Sequence, residues 1–325
     1  MNKYNMLRCL LLITLLIFSY KCADACDTSS TVLTVTTNLS DTSKYPGGYM
    51  NIFASGCPGY DWTGQKTPNK ATAQNFKIYL PLSPKIAATP IYPGIKGANG
   101  STNQNPLKGE IGIAVNGVPL FGNADALNRD AFLYEGATFN KCGGHVAPGG
   151  VYHYHEEPAQ GCAFTDTAGQ HSPMFGIMYD GIPIYGSLGD NGVAPTDLDE
   201  CGGHVDKTYP FYHYHLPKDR AFPYTLSCMK GCIYNSQGNF NFDKYVTTQS
   251  TCKLAATQYD YTLAFKDVKT LFHASTVNIS TLNDTIEMPS GMGMPSGMGM
   301  HSTSSDCFIS AGYLIIIMTI VFILL

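Results

Sequence analysis

The middle of the chain spells one passage twice. Cys142-Gly143-Gly144-His145-Val146 returns as Cys201-Gly202-Gly203-His204-Val205, and Tyr152-His153-Tyr154-His155 returns as Tyr212-His213-Tyr214-His215. Upstream of these, Ile113 to Gly122 matches Ile177 to Gly186, and downstream Cys162 matches Cys228 in order. Two copies are too few for a solenoid, which needs three or more units to bury a shared core. They suit one domain with an internal pseudo-twofold duplication, its halves at 111–162 and 175–228.

Each copy reads as strand, turn, strand. Asn116-Gly117 and Asp180-Gly181 sit between β-prone apolar residues, a strong hairpin signal. Pro119 and Pro183 follow two residues later and favour an edge strand. In a strand successive side chains point to opposite faces. Tyr152 and Tyr154 then share one face, and His153 and His155 the other. Tyr212 and Tyr214 oppose His213 and His215 in the same way. The Tyr face is the natural core face, which leaves the two His faces to point together into a cleft between the halves.

Composition agrees with a mainly β fold. Tyr (21), Gly (33) and Pro (19) are frequent, and charged residues are only 14% of the chain. That mixture suits short strands joined by tight turns. A net charge of -4 without a run of Lys or Arg argues against nucleic acid as a partner. Stretches such as Thr31 to Thr37 and Phe76 to Leu80 add a β region upstream of the repeat.

The termini indicate export. Lys3 and Arg8 precede an apolar run from Leu10 to Phe18, and Ala23-Asp24-Ala25 offers small residues for cleavage, so residues 1–25 read as a secretory signal peptide. Residues 307–325 are apolar and uncharged. With small residues just upstream, they read as a GPI-attachment signal, Ser302, Ser304 and Ser305 being the candidate attachment residues. The alternative is a single-pass helix with no cytoplasmic tail. Residues 276–306, with Met-Pro-Ser-Gly-Met-Gly twice, read as a flexible stalk. Its thioethers suit Cu(I), although low complexity alone accounts for them. Asn38, Asn99, Asn278 and Asn283 head N-glycosylation sequons. The expected place is the outer face of the cell membrane, with the membrane itself as partner through the lipid.

Eleven cysteines are present. Cys9 and Cys22 leave with the signal and Cys307 with the tail. The remaining eight lie in the β-rich ectodomain, 26–275, and in an oxidising compartment are most simply four disulfides. Equivalence of the halves pairs Cys142 with Cys162 and Cys201 with Cys228. Cys26 with Cys57 and Cys232 with Cys252 complete the set. Metal thiolates at Cys228 and Cys232 are the rival reading.

The duplicated passage, with His171-Ser172-Pro173 leading into Asp180 to Gly186, resembles the YHYH domain family over about residues 70–230. The resemblance implies an exported protein. It carries over no catalytic residue.

Seven of the nine histidines fall in this region. Two His at i and i+2 on a strand start about 6.5 Å apart on one face. Their rings can converge on one ion at ~2.0–2.1 Å from each nitrogen. His153, His155, His213 and His215 are the first candidates, with His145 and His204 completing each half-site. Copper and zinc lead among ions that suit imidazole. Asp180, Asp199, Glu200 or His171 could orient a ligand ring. The opposing reading is a structural network in which each ring nitrogen pairs with a Tyr hydroxyl or a carbonyl. Gly-x-Ser-x-Gly elbows, phosphate loops and dinucleotide fingerprints are absent from the sequence. Three classes of function stay open: a metal-binding surface protein, a metalloenzyme using the same histidines, and a non-catalytic structural or adhesive protein.

Overall fold

The turns set the architecture. Gly117 and Gly181 take φ of +81° and +88°, the left-handed region in which a side chain is strained. Asn116 Oδ1 and Asp180 Oδ1 each accept the backbone N–H two residues on, from Val118 and Ile182. Each turn therefore closes a hairpin: β5 (Glu110–Ala114) with β6 (Pro119–Phe121), and β9 (Met174–Met178) with β10 (Pro183–Tyr185).

The computed structural model describes residues 25–42, 45–91, 109–127, 129–220, 223–234, 247, 250–275 and 277–282. Residues 1–24 of the expected signal peptide, most of the expected stalk, the C-terminal tail, Asn99, Asn283, Ser302, Ser304 and Ser305 lie outside the described residues. Those described fall in one unit, Ala25–Gly299, and the fold is mainly β.

The hairpins build an eight-stranded sheet with β7 (Gly144–Val146), β8 (Tyr152–Tyr154), β11 (Gly203–His204) and β12 (His213–His215), in the order β11-β12-β10-β9-β5-β6-β8-β7. At the centre β5 and β9 run antiparallel, Ile113 opposite Ile177. Outward from there, β6 pairs parallel with β8 and β10 parallel with β12. Antiparallel β7 and β11 close the two edges.

The proline strands are thus interior, contrary to the edge position expected for them. Pro119 and Pro183 are the first residues of β6 and β10, and the parallel ladders begin one residue later, at Leu120 opposite Tyr154 and Ile184 opposite Tyr214. The missing N–H falls before the bonded stretch, one of the few places where a sheet tolerates proline.

A second sheet, β1 (Leu33–Asn38), β2 (Tyr49–Ala54) and β3 (Phe76–Pro81), is antiparallel throughout. A short ribbon pairs β4 (Ile86–Ile91) with β13 (Met229–Gly231). Ile52, Ile78 and Leu80 of the second sheet join Ile113, Ile177 and Ile184 of the first in one buried core. Each such side chain stabilises the fold by roughly 1.5–3 kcal/mol relative to exposure. Four disulfides tie the loops: Cys26–Cys57, Cys142–Cys162, Cys201–Cys228 and Cys232–Cys252. Cys228 and Cys232 sit in separate bridges, so neither offers a thiolate.

Candidate metal centres

The alternation of the Tyr-His-Tyr-His segments divides their side chains as a strand must. The tyrosines form a hydrogen-bonded group in each half. Tyr152 donates to Asn140 Oδ1 at 2.9 Å, and Tyr154 meets Tyr60 at 2.6 Å and Asn116 at 3.0 Å. Tyr212 donates to Asp199 and Tyr214 to Asp180 Oδ2. Asp180 and Asp199 therefore serve tyrosines and turns on the face away from the histidines. They do not orient an imidazole, because strand alternation separates them from the His face. Glu200 lies beside Lys230 at 3.9 Å.

The histidines are also buried, but in two clusters, one in each half. His145, His153 and His155 form the first, here centre A; His171, Asp206, His213 and His215 form the second, centre B. The shared cleft expected for His153, His155, His213 and His215 does not form. β8 and β12 stand five strands apart in the sheet, about 24 Å at ~4.8 Å per step. The seam between the halves is the β5–β9 ladder, with the His-bearing strands placed outward on either side.

In centre A every Nδ1 has an acceptor. His153 Nδ1 donates to the Val151 carbonyl at 3.0 Å and His155 Nδ1 to the Gly122 carbonyl at 2.8 Å. His145 Nδ1 meets Thr138 Oγ1 at 2.7 Å, and that hydroxyl donates to the Glu135 carbonyl at 2.6 Å, so it accepts from the ring. A carbonyl can only accept, which fixes the proton on Nδ1 and leaves each Nε2 with a bare lone pair. These atoms then converge: His145 Nε2 is 3.0 Å from His153 Nε2, which is 3.1 Å from His155 Nε2.

Centre B follows the same rule. His213 Nδ1 donates to Phe211 O at 2.9 Å, His215 Nδ1 to Gly186 O at 2.6 Å and His204 Nδ1 to Asp197 Oδ1 at 2.8 Å. His215 Nε2 lies 3.1 Å from His213 Nε2 and 3.2 Å from His204 Nε2. His171 Nδ1 donates to Ser172 O, and its Nε2 faces Asp206 Oδ2 at 3.1 Å. Both of those facing atoms are buried without a hydrogen-bond partner. Asp206 is held by its other oxygen, which accepts from Tyr209 N at 2.7 Å.

Burial keeps five of these rings neutral, His145, His153, His155, His213 and His215. It is the leading cause that lowers His145 and His153 well below the ordinary range, reinforced by neighbouring imidazoles. It lowers His155 and His213 to about 4 and His215 to about 2. Glu135, at the rim of centre A, is pushed up to about 7 by burial and then by the Asp125 charge. Neutral imidazole is the form that binds metal. An ion bonded at ~2.1 Å spaces neighbouring ligand atoms roughly 3.0 Å apart in an octahedron and roughly 3.4 Å apart in a tetrahedron, which brackets the spacings here.

Of the six histidines read as candidates, His145, His153, His155, His213 and His215 fall in the two centres, and His204 stands beside the second, its Nε2 3.2 Å from that of His215. His171, read as a group that orients a ligand ring, instead aims a ring nitrogen into centre B. Asp206 and Glu135 escape the sequence reading. Asp206 stands two residues after His204, the spacing of the His-x-His pairs, and was legible in principle. Glu135 reaches centre A from a short helix, α1 (Ala131–Glu135), whose N-cap Asp130 accepts from Leu133 N, and no sequence spacing announces it.

A β-rich, disulfide-bonded domain with buried histidine clusters in its main sheet defines the class. Residues 77–195 match the family described as YHYH protein, and the chain carries a YHYH domain. The match takes in all of centre A and His171, and ends before the second Cys-Gly-Gly-His and Tyr-His-Tyr-His passages. No curated protein and no solved structure matches the chain.

Proposed function

We propose that this protein binds transition metal ions, copper or zinc, at two histidine centres, and works as a glycosylated surface protein held by a glycolipid anchor. One observation carries the metal reading: Nε2 lone pairs meet at 3.0–3.2 Å with every Nδ1 already committed as a donor. A structural network would set donors against acceptors. Acceptors facing acceptors in a buried site call for a cation between them.

What supports an extracellular setting is the set of four disulfides and the exposed sequon residue Asn278. The strand order, the same from either edge, supports a pseudo-twofold relation between the halves. Elemental analysis of the ectodomain, purified without chelators, tests the metal reading. About two copper or zinc ions per chain are expected. Protein that stays folded but takes up neither metal on dialysis would leave the network reading in its place. Release from cells by phosphatidylinositol-specific phospholipase tests the anchor. Retention, with residues 307–325 still attached, would remove it.

A further inference from the structure

The two centres differ in what the chain itself supplies. Centre B has His213 and His215, together with His171 Nε2 and Asp206 Oδ2, two atoms buried without hydrogen-bond partners and 3.1 Å apart; His204 stands at its margin, 3.2 Å from His215 Nε2 and 3.8 Å from Asp206 Oδ2. The His171 and Asp206 side chains are 2% and 7% exposed. Centre A has three imidazoles. The next donor, Glu135 Oε2, stands back at 3.6 Å from His145 Nε2 and 3.9 Å from His155 Nε2, on a side chain 29% exposed.

Charge divides them in the same sense. At centre B the Asp206 carboxylate lies among the donors and offsets one unit of a divalent ion. At centre A the three closest donors are neutral. Phe121 stacks on His153 at 3.8 Å, and Phe139 lies 5.9 Å from His155. These rings pack against the imidazoles, and the Glu135 side chain beside them is more exposed, at 29% against 5% for His145 and 3% for His155.

We infer that centre A accepts an exogenous small ligand, water or a small anion, while at centre B the chain supplies the donors itself, from His171, Asp206, His213 and His215. The inference rests on the metal-binding reading above. Ligand exchange at centre A needs no redox partner: a water leaves as the anion enters.

Cobalt(II) and azide test it. The wild-type ectodomain should bind two cobalt ions, and azide should shift the visible spectrum of one of them. The His213→Ala/His215→Ala protein, left with centre A, should keep the full azide response. The His153→Ala/His155→Ala protein, left with centre B, should bind cobalt without one. If either variant fails to fold, Glu135→Gln provides an independent measurement. Measured well above pH 7, where the Glu135 carboxylate is charged, removing that charge should tighten azide several-fold while centre B keeps its cobalt. Cobalt bound with an azide response that follows centre B, that involves both ions, or that never develops would overturn the inference and leave metal binding standing. Folded wild-type protein that binds no cobalt would remove both.

Discussion

At the scale of the residue, the proton on Nδ1 decides what each histidine can do. Once a carbonyl, a hydroxyl or a carboxylate holds that proton, Nε2 becomes a pure acceptor aimed at its neighbours. His171 shows how far this reaches. It is outside the repeated motif, yet its Nε2 is buried and unpartnered beside Asp206. Replacing His171 with Ala is expected to weaken metal binding at centre B by about tenfold or more, as loss of a group close to a metal typically does, and to leave centre A unchanged. Chelator competition measures it, and an unaltered affinity would take His171 out of the donor set. The same burial makes the metal-free protein acid-sensitive. His155 and His213 titrate near about 4 and His215 near about 2, against an ordinary 6.5. Folded-state values depressed in this way mean that the unfolded chain takes up protons first. Stability is then full above about pH 6.5 and falls as pH drops toward 4, by about 1.4 kcal/mol per pH unit for each such ring. Melting curves in EDTA at pH 7.5, 6 and 5 should show a declining Tm; a flat profile contradicts the assignment.

At the scale of the element, the β5–β9 pair is what keeps the clusters apart. A Cβ on Gly176 would run into the Ile113 carbonyl, and one on Gly112 would come within 2.8 Å of the Ile177 carbonyl. Two glycines let the central strands approach where side chains would hold them off. Gly176→Ala should therefore cost about 1–3 kcal/mol, the usual range for overpacking. Exposed Gly64, where a Cβ would meet only Asn140 Cβ at 3.7 Å, should accept Ala within about 0.5 kcal/mol. Urea melts of the two variants settle the comparison, and equal costs would mean that the close approach is not what constrains Gly176. The local chemistry of these elements was legible: Asn-Gly and Asp-Gly turns, Tyr and His on alternate faces, and cysteines equivalent between copies. Their relative placement was not. Strand alternation says that His153 and His155 share a face. It says nothing about which strand lies beside β8, and a parallel neighbour arriving from across a long connection leaves no local periodic trace. For the same reason Pro119 and Pro183 pointed to an edge, when only the starting point of the parallel ladder makes them acceptable inside.

At the scale of the whole molecule, one sheet carries two separate sites. Each half closes its own disulfide, Cys142–Cys162 or Cys201–Cys228, and holds its own imidazoles against carbonyls of its own hairpin, Gly122 in one and Gly186 in the other. The seam between them is apolar backbone pairing, Ile113 against Ile177, with no titratable group on either residue to relay a change of charge. Sites about 24 Å apart across such a seam, at ~4.8 Å per strand, should act independently. The His153→Ala/His155→Ala protein should thus hold its remaining ion at centre B with an affinity within about 0.5 kcal/mol of wild type. The converse His213→Ala/His215→Ala protein should do the same at centre A. Titration of each variant against a competing chelator, beside a two-site fit of the wild type, measures both terms. A wild-type curve that the two single-centre affinities cannot reproduce would show that the β5–β9 seam transmits metal occupancy from one half to the other.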